Sequence, residues 1–209
     1  MAAVRPARPA DRADVVATVV AAFTGDPAWG WFLGSDFDRL APAFAGALFD
    51  RRVGAGQVWI TGAADSVALW EAPGGPDPLA AADIWAPFRS AAGADVLARL
   101  DHYDEAVHAA GTPEPHWYLG VLATRPDRAG TGLATAVLEP VLRQADLDGV
   151  DCCLETSTLA NRAFYARRGF VDVTEVDITA GPKTWWLRRP PREPPAHVDD
   201  RAYEEGPGQ

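Results

Sequence analysis

Apolar positions along this 209-residue chain change period several times, and each change marks an element. VRPARPA reads as a short strand, and DRADVVATVVAAF after it sets Val15, Val19, Ala22 and Phe23 at helical spacing behind Asp11 as N-cap. GDPAWGWFL carries a proline breaker and three clustered aromatics, and a helix is predicted from Asp38 to about Arg51 with Phe44, Leu48 and Phe49 along one side. QVWITGAADSVALWEAPGG has the form of a hairpin, with Val58, Trp59 and Ile60 on one arm and Val67, Leu69 and Trp70 on the other. Residues 73–115 are bounded by PGGPDP and GTPEP and hold two helical pieces, LAAADIWAPFRSAA and ADVLARLDHYDEAVHAA; they read as an inserted helical region.

HWYLGVLATRP is nearly continuous in apolar residues, as a strand covered on both faces should be. After it, Leu133, Val137 and Val141 recur at i, i+4 and i+8 until Asp148 and Gly149 stop the helix, and Pro140 inside should kink it. VDCCLETS is the next strand. STLANRAFYARRG is a short helix with Ser157 or Thr158 as cap, and FVDVTEVDI and TWWLRRP are two final strands. From Pro190 the chain is rich in proline and acid with almost nothing to bury, so residues 190–209 are expected to form a disordered tail behind a single domain, 1–189.

Charge and composition narrow the function. Hydrophobic residues make up 48% and charged ones 23%, with no apolar run near the roughly 20 residues that span a bilayer. With no secretory h-region near the N-terminus, a cytoplasmic protein without a membrane partner is expected. The net charge of -10 argues against nucleic acid as a partner. The segment from Arg125 to Arg168 is nevertheless neutral, with six arginines and six acidic residues, so an anionic ligand meets least repulsion there. Cys152 and Cys153 are adjacent in an apolar stretch and fit neither a disulfide framework nor a metal knuckle. His102 and His108 lie six apart and match no metal spacing, so no metal is expected.

The candidate chemistry begins at RPDRAGTGLA, Arg125 to Ala134, between the buried strand and a helix. Gly130 and Gly132 could serve only a tight turn that needs positive φ. They could equally let an anion approach amide N–H groups at a helix N-terminus, where unpaired donors and the dipole favour phosphate. A dinucleotide fingerprint would need a third glycine where Thr135 stands, and a P-loop would need Gly-Lys-Ser/Thr. A different nucleotide-bearing cofactor is implied.

Strand, P-x-x-x-G-x-G-x-A, helix, strand LETS, then NRAFYARRGF resembles the GNAT superfamily of acetyl-CoA-dependent N-acetyltransferases over about residues 4–189, specifically from Trp117 to Phe170. DPAWGWFL, VWITGAADSVALW and GPKTWWLRR resemble segments of its puromycin N-acetyltransferase-like subgroup. The resemblance implies an α/β fold: a mixed, mostly antiparallel sheet of six or seven strands with helices on both faces and a splay between the fourth and fifth strands. It implies acetyl-CoA as cosubstrate, with Leu122, Ala123 and Thr124 beside the pantetheine arm and Arg128, Ala129, Gly130, Thr131, Gly132, Leu133 and Ala134 around the pyrophosphate. Ala129 stands where the family has glutamine or arginine, and Arg128 beside it is positioned to supply that charge. Asn161 matches the asparagine near the thioester, and Tyr165 the tyrosine that protonates the departing thiolate.

Acetyl transfer to an amine needs a neutral nucleophile, an oxyanion donor and a proton for sulfur. Tyr165 is protonated at neutral pH and shares a helix face with Asn161, four residues earlier, though Phe164-Tyr165 could also be core packing. For the base, Glu155 is a carboxylate on an otherwise apolar strand, and either accepts a proton at a raised pKa or is bonded to backbone N–H groups or Arg162. His116 at the mouth of the central strand and a water relay are the alternatives. Asp26, Trp29, Trp31, Phe32, Trp70, Glu71 and Trp85 lie outside the cofactor half; aromatic walls with carboxylates suit an amine on a hydrophobic scaffold. The expected activity is acetylation of a small-molecule primary amine by direct attack. A peptide or protein amine acceptor, or a non-catalytic acyl-CoA sensor, are the competing readings, and the chain is expected to be a monomer or homodimer.

Overall fold

A computed structural model describes residues 3–75 and 78–192. The chain begins with β1 (Val4–Pro6), a 3₁₀ turn, α1 (Arg12–Phe23), α2 (Pro27–Leu33), a second 3₁₀ turn and α3 (Phe37–Val53). The hairpin β2 (Val58–Thr61) and β3 (Ser66–Glu71) follows, then α4 (Pro78–Ala91), α5 (Ala94–Ala110) and β4 (His116–Thr124). A third 3₁₀ turn leads to α6 (Leu133–Asp148), β5 (Asp151–Thr156), α7 (Leu159–Ala166), β6 (Val171–Val176) and β7 (Thr184–Arg189).

Seven strands form one open sheet in the order β1-β2-β3-β4-β5-β7-β6. Every pairing is antiparallel except β4 with β5. The arrangement is the GNAT fold, with helices on both faces. One core lies under α1, α2, α3 and α5 and contains Val19, Leu40, Phe49 and Val121. The other lies under α6 and α7 and contains Trp70, Val137, Leu138 and Leu154.

Local sequence explains most boundaries. Pro27 opens α2 and the Asp26 carboxylate caps it by accepting from Ala28 and Trp29 N–H at 2.9 and 3.0 Å, so the proline starts a helix here where a break was expected. Asp11 does not cap α1 as expected. Its carboxylate accepts from the Arg8 N–H and from Arg5, closing the preceding 3₁₀ turn and holding its pKa down at about 2. Thr158 accepts from Asn161 N–H as the cap of α7, and α6 runs through Pro140 as one element before Gly149 ends it in a left-handed conformation. Cys152 and Cys153 are buried, and burial pushes their thiols up to about 12, which leaves them unreactive core residues. Most of the expected tail, residues 193–209, lies outside the described residues.

The centre of the sheet is irregular. Leu69 pairs with Val121 but Trp70 pairs with Leu119, so Gly120 is an extra residue in β4. The bulge resets the alternation of β4: Leu119 packs under α6, whereas Val121 packs under α1 and α3. Near its start β4 pairs with β5 through His116, Trp117 and Tyr118 only. Past Tyr118 the two strands separate, and among the described residues the β5-facing edge of β4 has no strand partner from Leu119 to Thr124.

The far side of the sheet is tied by Arg189, whose side chain is 3% exposed and donates to both Asp146 oxygens at 2.7 and 2.8 Å and to the Arg168 carbonyl at 3.2 Å. Asp146→Ala should leave that guanidinium buried without its counter-charge, costing about 3 kcal/mol in urea unfolding. A loss below about 0.5 kcal/mol, the usual range of a surface substitution, would show that the pair does not hold α6 to β7.

Candidate active site

The separation of β4 from β5 opens into a cavity of about 920 Å³. Its wall is drawn from both halves of the chain. Asp26, Trp29 and Phe32 come from α2 and its cap, Trp85 from α4, Tyr103 and Asp104 from α5, His116, Tyr118 and Leu122 from β4, Glu155 from β5, and Asn161 and Tyr165 from α7.

Glu155 pairs with Trp186 of β7 but lies beyond the stretch of β5 that pairs with β4, and its side chain lines the cavity opened there. The Tyr118 hydroxyl donates to its Oε2 at 2.6 Å. Burial raises the Glu155 pKa to about 7 against the opposing pull of that hydrogen bond. The carboxyl therefore changes charge near neutrality, as a general base should. Its fold-state pKa lies above the unfolded value near 4.5, so ionising it opposes folding: its contribution is present below that value and lost as pH rises to about 7. Arg162, one of the alternative partners considered for Glu155, pairs with Asp172 and lies over the Trp185 ring at 4.4 Å.

Around Glu155 the cavity floor is aromatic and charged. Tyr118 stacks on Trp186 at 6.0 Å with the planes 12° apart, and burial together with the Glu155 charge lifts its own pKa well above the ordinary value. Arg52, 3% exposed at its side chain, pairs with Glu71, as does Arg51, and Arg52 donates to the Leu48 carbonyl at 2.9 Å. Its guanidinium lies against the bulge: a Cβ on Gly120 would sit 2.7 Å from Nη2. Asp104 keeps solvent contact at the rim but is flanked by protein, and desolvation, then Asp101, raises it to about 6. His116 also faces the cavity, its Nδ1 2.7 Å from the Glu114 carbonyl and its ring edge-on to Trp186.

Tyr165 is 6% exposed and reaches the same cavity from α7. Burial, then the Glu155 charge, raises its pKa, so it stays protonated over the whole working range. Asn161 is on the same wall, one helical turn earlier. Leu122 lines the cavity too, whereas Ala123 points into the α1–α3 core and the Thr124 hydroxyl is 2.8 Å from that of Ser66.

The glycine loop lies at the open end of β4. Gly130 and Gly132 have φ of 76° and 84°, and added Cβ atoms would meet nothing within 4 Å. The turn uses the N–H groups of Arg128, Ala129, Thr135 and Ala136 for its own hydrogen bonds. Those of Gly130, Thr131, Gly132, Leu133 and Ala134 have no partner among the described residues. Open donors on an exposed loop at the N-terminus of a 16-residue helix fit a pyrophosphate. Arg128 stands 4.0 Å from both Asp65 and Asp127, so its charge is partly engaged beside Ala129.

Two expected wall residues are elsewhere. Trp70 is fully buried under α6, because strand alternation turns it away from the face that Leu69 takes. Trp31 lies two positions after Trp29 on α2, off the inward stripe, and its Nε1 donates to the Ala180 carbonyl at 3.0 Å. The sequence reading missed Tyr118, Trp186, Tyr103, Arg52 and Asp104. Gly120 inside an apolar strand was the available signal of a bulge that would reorient Tyr118.

Residues 92–170 match the sequence profile of the acetyltransferase (GNAT) family. The structure resembles a histone acetyltransferase HPA2 and related acetyltransferase from Corynebacterium glutamicum, with 24% identity, TM-score 0.68, and 93% of this chain and 99% of that chain covered. It also resembles the ribosomal-protein-S18-alanine N-acetyltransferase from Escherichia coli (16% identity, TM-score 0.52, 95% and 99% covered). A third likeness is to a polyamine N-acetyltransferase from Drosophila melanogaster (14%, 0.60, 90% and 98%). At these identities the likeness is one of fold.

Tyr118→Phe removes the hydrogen bond that favours the ionised form of Glu155, so the Glu155 titration midpoint should move up from about 7. Carboxyl-labelled NMR titration reads it; a midpoint that stays or falls would contradict the geometry.

Proposed function

We propose that this GNAT acetyltransferase transfers acetyl from acetyl-CoA to the primary amine of a small molecule, by direct attack in a ternary complex. The observation that carries the reading is the meeting of Glu155 and Tyr165 in one cavity at the point where β4 and β5 part. Acetyl-CoA supplies an acetyl thioester when bound. The open N–H groups from Gly130 to Ala134 fit its pyrophosphate, and the unpaired edge of β4 offers backbone groups to an extended arm.

The chain's own residues then divide the proton work. Glu155 accepts the proton of the incoming ammonium, directly or through one water, because its carboxylate is desolvated and titrates near neutral pH. Tyr118 holds that carboxylate in place through its 2.6 Å bond. Tyr165 keeps its proton until a thiolate forms, donates it so that sulfur leaves as a thiol, and is reprotonated by the second proton that the amine nitrogen sheds on becoming an amide. His116 is fixed at the rim by the Glu114 carbonyl and is the weaker base candidate.

The acceptor reading rests on Asp26, Trp29, Phe32 and Trp85, four cavity residues among those expected from sequence. A puromycin-like amine, with a large hydrophobic or planar body, suits this wall, and antibiotic resistance is the role such an acceptor would give the enzyme. Walls from α4 and α5 on the acceptor side of the cavity favour a small molecule over an extended peptide.

Purified protein with acetyl-CoA and a panel of primary amines should release thiol, with kcat/KM rising through a midpoint of about 7. Glu155→Gln should lower kcat by about 100-fold or more and flatten that rise, and Tyr165→Phe should lower it by about ten-fold or more. Tight CoA binding with no turnover on any amine would favour a sensor, and a Tyr165→Phe rate equal to wild type at every pH would remove it as the acid.

A further inference from the structure

The wall built by the α1–α2 turn, α3 and α4 contains a carboxylate with an unused oxygen. Both cap hydrogen bonds of Asp26 fall on Oδ1. Its Oδ2 has no hydrogen-bond partner, and the carboxylate has no ion-pair partner, among the described residues. Phe23, Trp29, Phe44 and Trp85 stand in the same wall. Their rings are in mutual contact, with Phe23–Trp29 centroids 4.4 Å apart, Trp29–Phe44 4.9 Å and Phe44–Trp85 5.3 Å. The two arginines of the cavity, Arg51 and Arg52, are both committed to Glu71.

Asp26 is partly buried in a wall it shares with these rings, and burial raises its pKa despite two hydrogen bonds to its charged form. Capping alone does not require this, since asparagine caps a helix as well as aspartate. What the group lacks is a counter-cation, and aromatic faces beside a carboxylate are the surroundings in which a bulky, weakly hydrated ammonium is held.

We propose that Asp26 with Phe23, Trp29, Phe44 and Trp85 forms a second cation subsite, and that the acceptor is two-headed: a substituted or quaternary ammonium rests there while its primary amine reacts at Glu155. The identity of the reacting end rests on the acetyl-transfer reading; the cation subsite does not. The cavity of about 920 Å³ is large enough for such a molecule, being of the size that houses drug-sized ligands. Of the other carboxylates in the cavity wall, Glu71 is taken up by two arginines, Glu155 accepts from the Tyr118 hydroxyl, and Asp104 and Glu114 are exposed, so Asp26 is the partly buried carboxylate there without a side-chain partner among the described residues.

A matched pair of probes isolates the second charge: the quaternary cation 4-(aminomethyl)benzyl-trimethylammonium and its isostere 4-neopentylbenzylamine, which keeps the primary amine and has carbon in place of the quaternary nitrogen. Calorimetric titration of the full-length protein with CoA present should give a Kd for the cation at least about ten-fold below that of the isostere. In Asp26→Asn, which keeps the cap acceptor and removes the charge, the ratio should collapse to within about two-fold, less than 0.5 kcal/mol. Equal affinities in the wild type would overturn the subsite without recourse to the variant, and so would a preference that Asp26→Asn leaves intact. Thiol release is read separately with both probes. Tighter binding of the cation with no acetylation of either would sink the transfer reading and still support the subsite.

Discussion

The site depends on one extra residue in the central strand. Gly120 interrupts the pairing of β4 with β3 and turns the strand so that Tyr118 and Val121 both belong to the face under α1 and α3. Tyr118 can then reach Glu155, and β4 can part from β5 where the cavity opens. Gly120 is not in a left-handed conformation, and what favours glycine at the bulge is space. Arg52 fills the space a Cβ would take, and the same guanidinium anchors Glu71 at the edge of the cavity. The irregularity of the sheet, a buried ion pair and the placement of the proposed base are therefore one construction.

Burial and charge are set against each other throughout that construction. Two partly buried carboxyls of the cavity wall, Asp26 and Glu155, have raised pKa values, and in each the largest cause is desolvation. At Glu155 the opposing hydrogen bond from Tyr118 keeps the titration near neutrality. Such groups cost the fold stability when they ionise without a partner. A cationic acceptor would offset that cost when bound, which ties substrate recognition to the same electrostatics that tune the base.

The order of elements was readable because each has a strong local cause. The i, i+4, i+8 pattern from Leu133 to Val141, the unbroken apolar run of β4 and the glycine loop each carry their own signal. NRAFYARRGF placed Asn161 and Tyr165 on one turn of α7, and both reach the cavity. What local sequence could not carry was facing. Trp70 and Trp31 are as aromatic as Trp29 and Trp85, yet the pleat of β3 and the pitch of α2 send them away. Nor could it show that Tyr118 would meet Glu155, 37 residues on, because that contact needs the bulge and the parallel pairing together. Arg162 illustrates the same limit: Asp172 on β6 captures it, and no spacing within the helix signals that.

On the proposed function, acetyl is transferred where β4 and β5 separate, in the cavity that Glu155 and Tyr165 both line. A crystal structure of the protein with CoA tests it most directly. In that complex the pyrophosphate should lie on the N–H groups of residues 130–134, the pantetheine arm along the unpaired edge of β4, and the thiol within reach of the Tyr165 hydroxyl. Pyrophosphate bound away from that loop, or a thiol directed away from Tyr165 and Glu155, would contradict it.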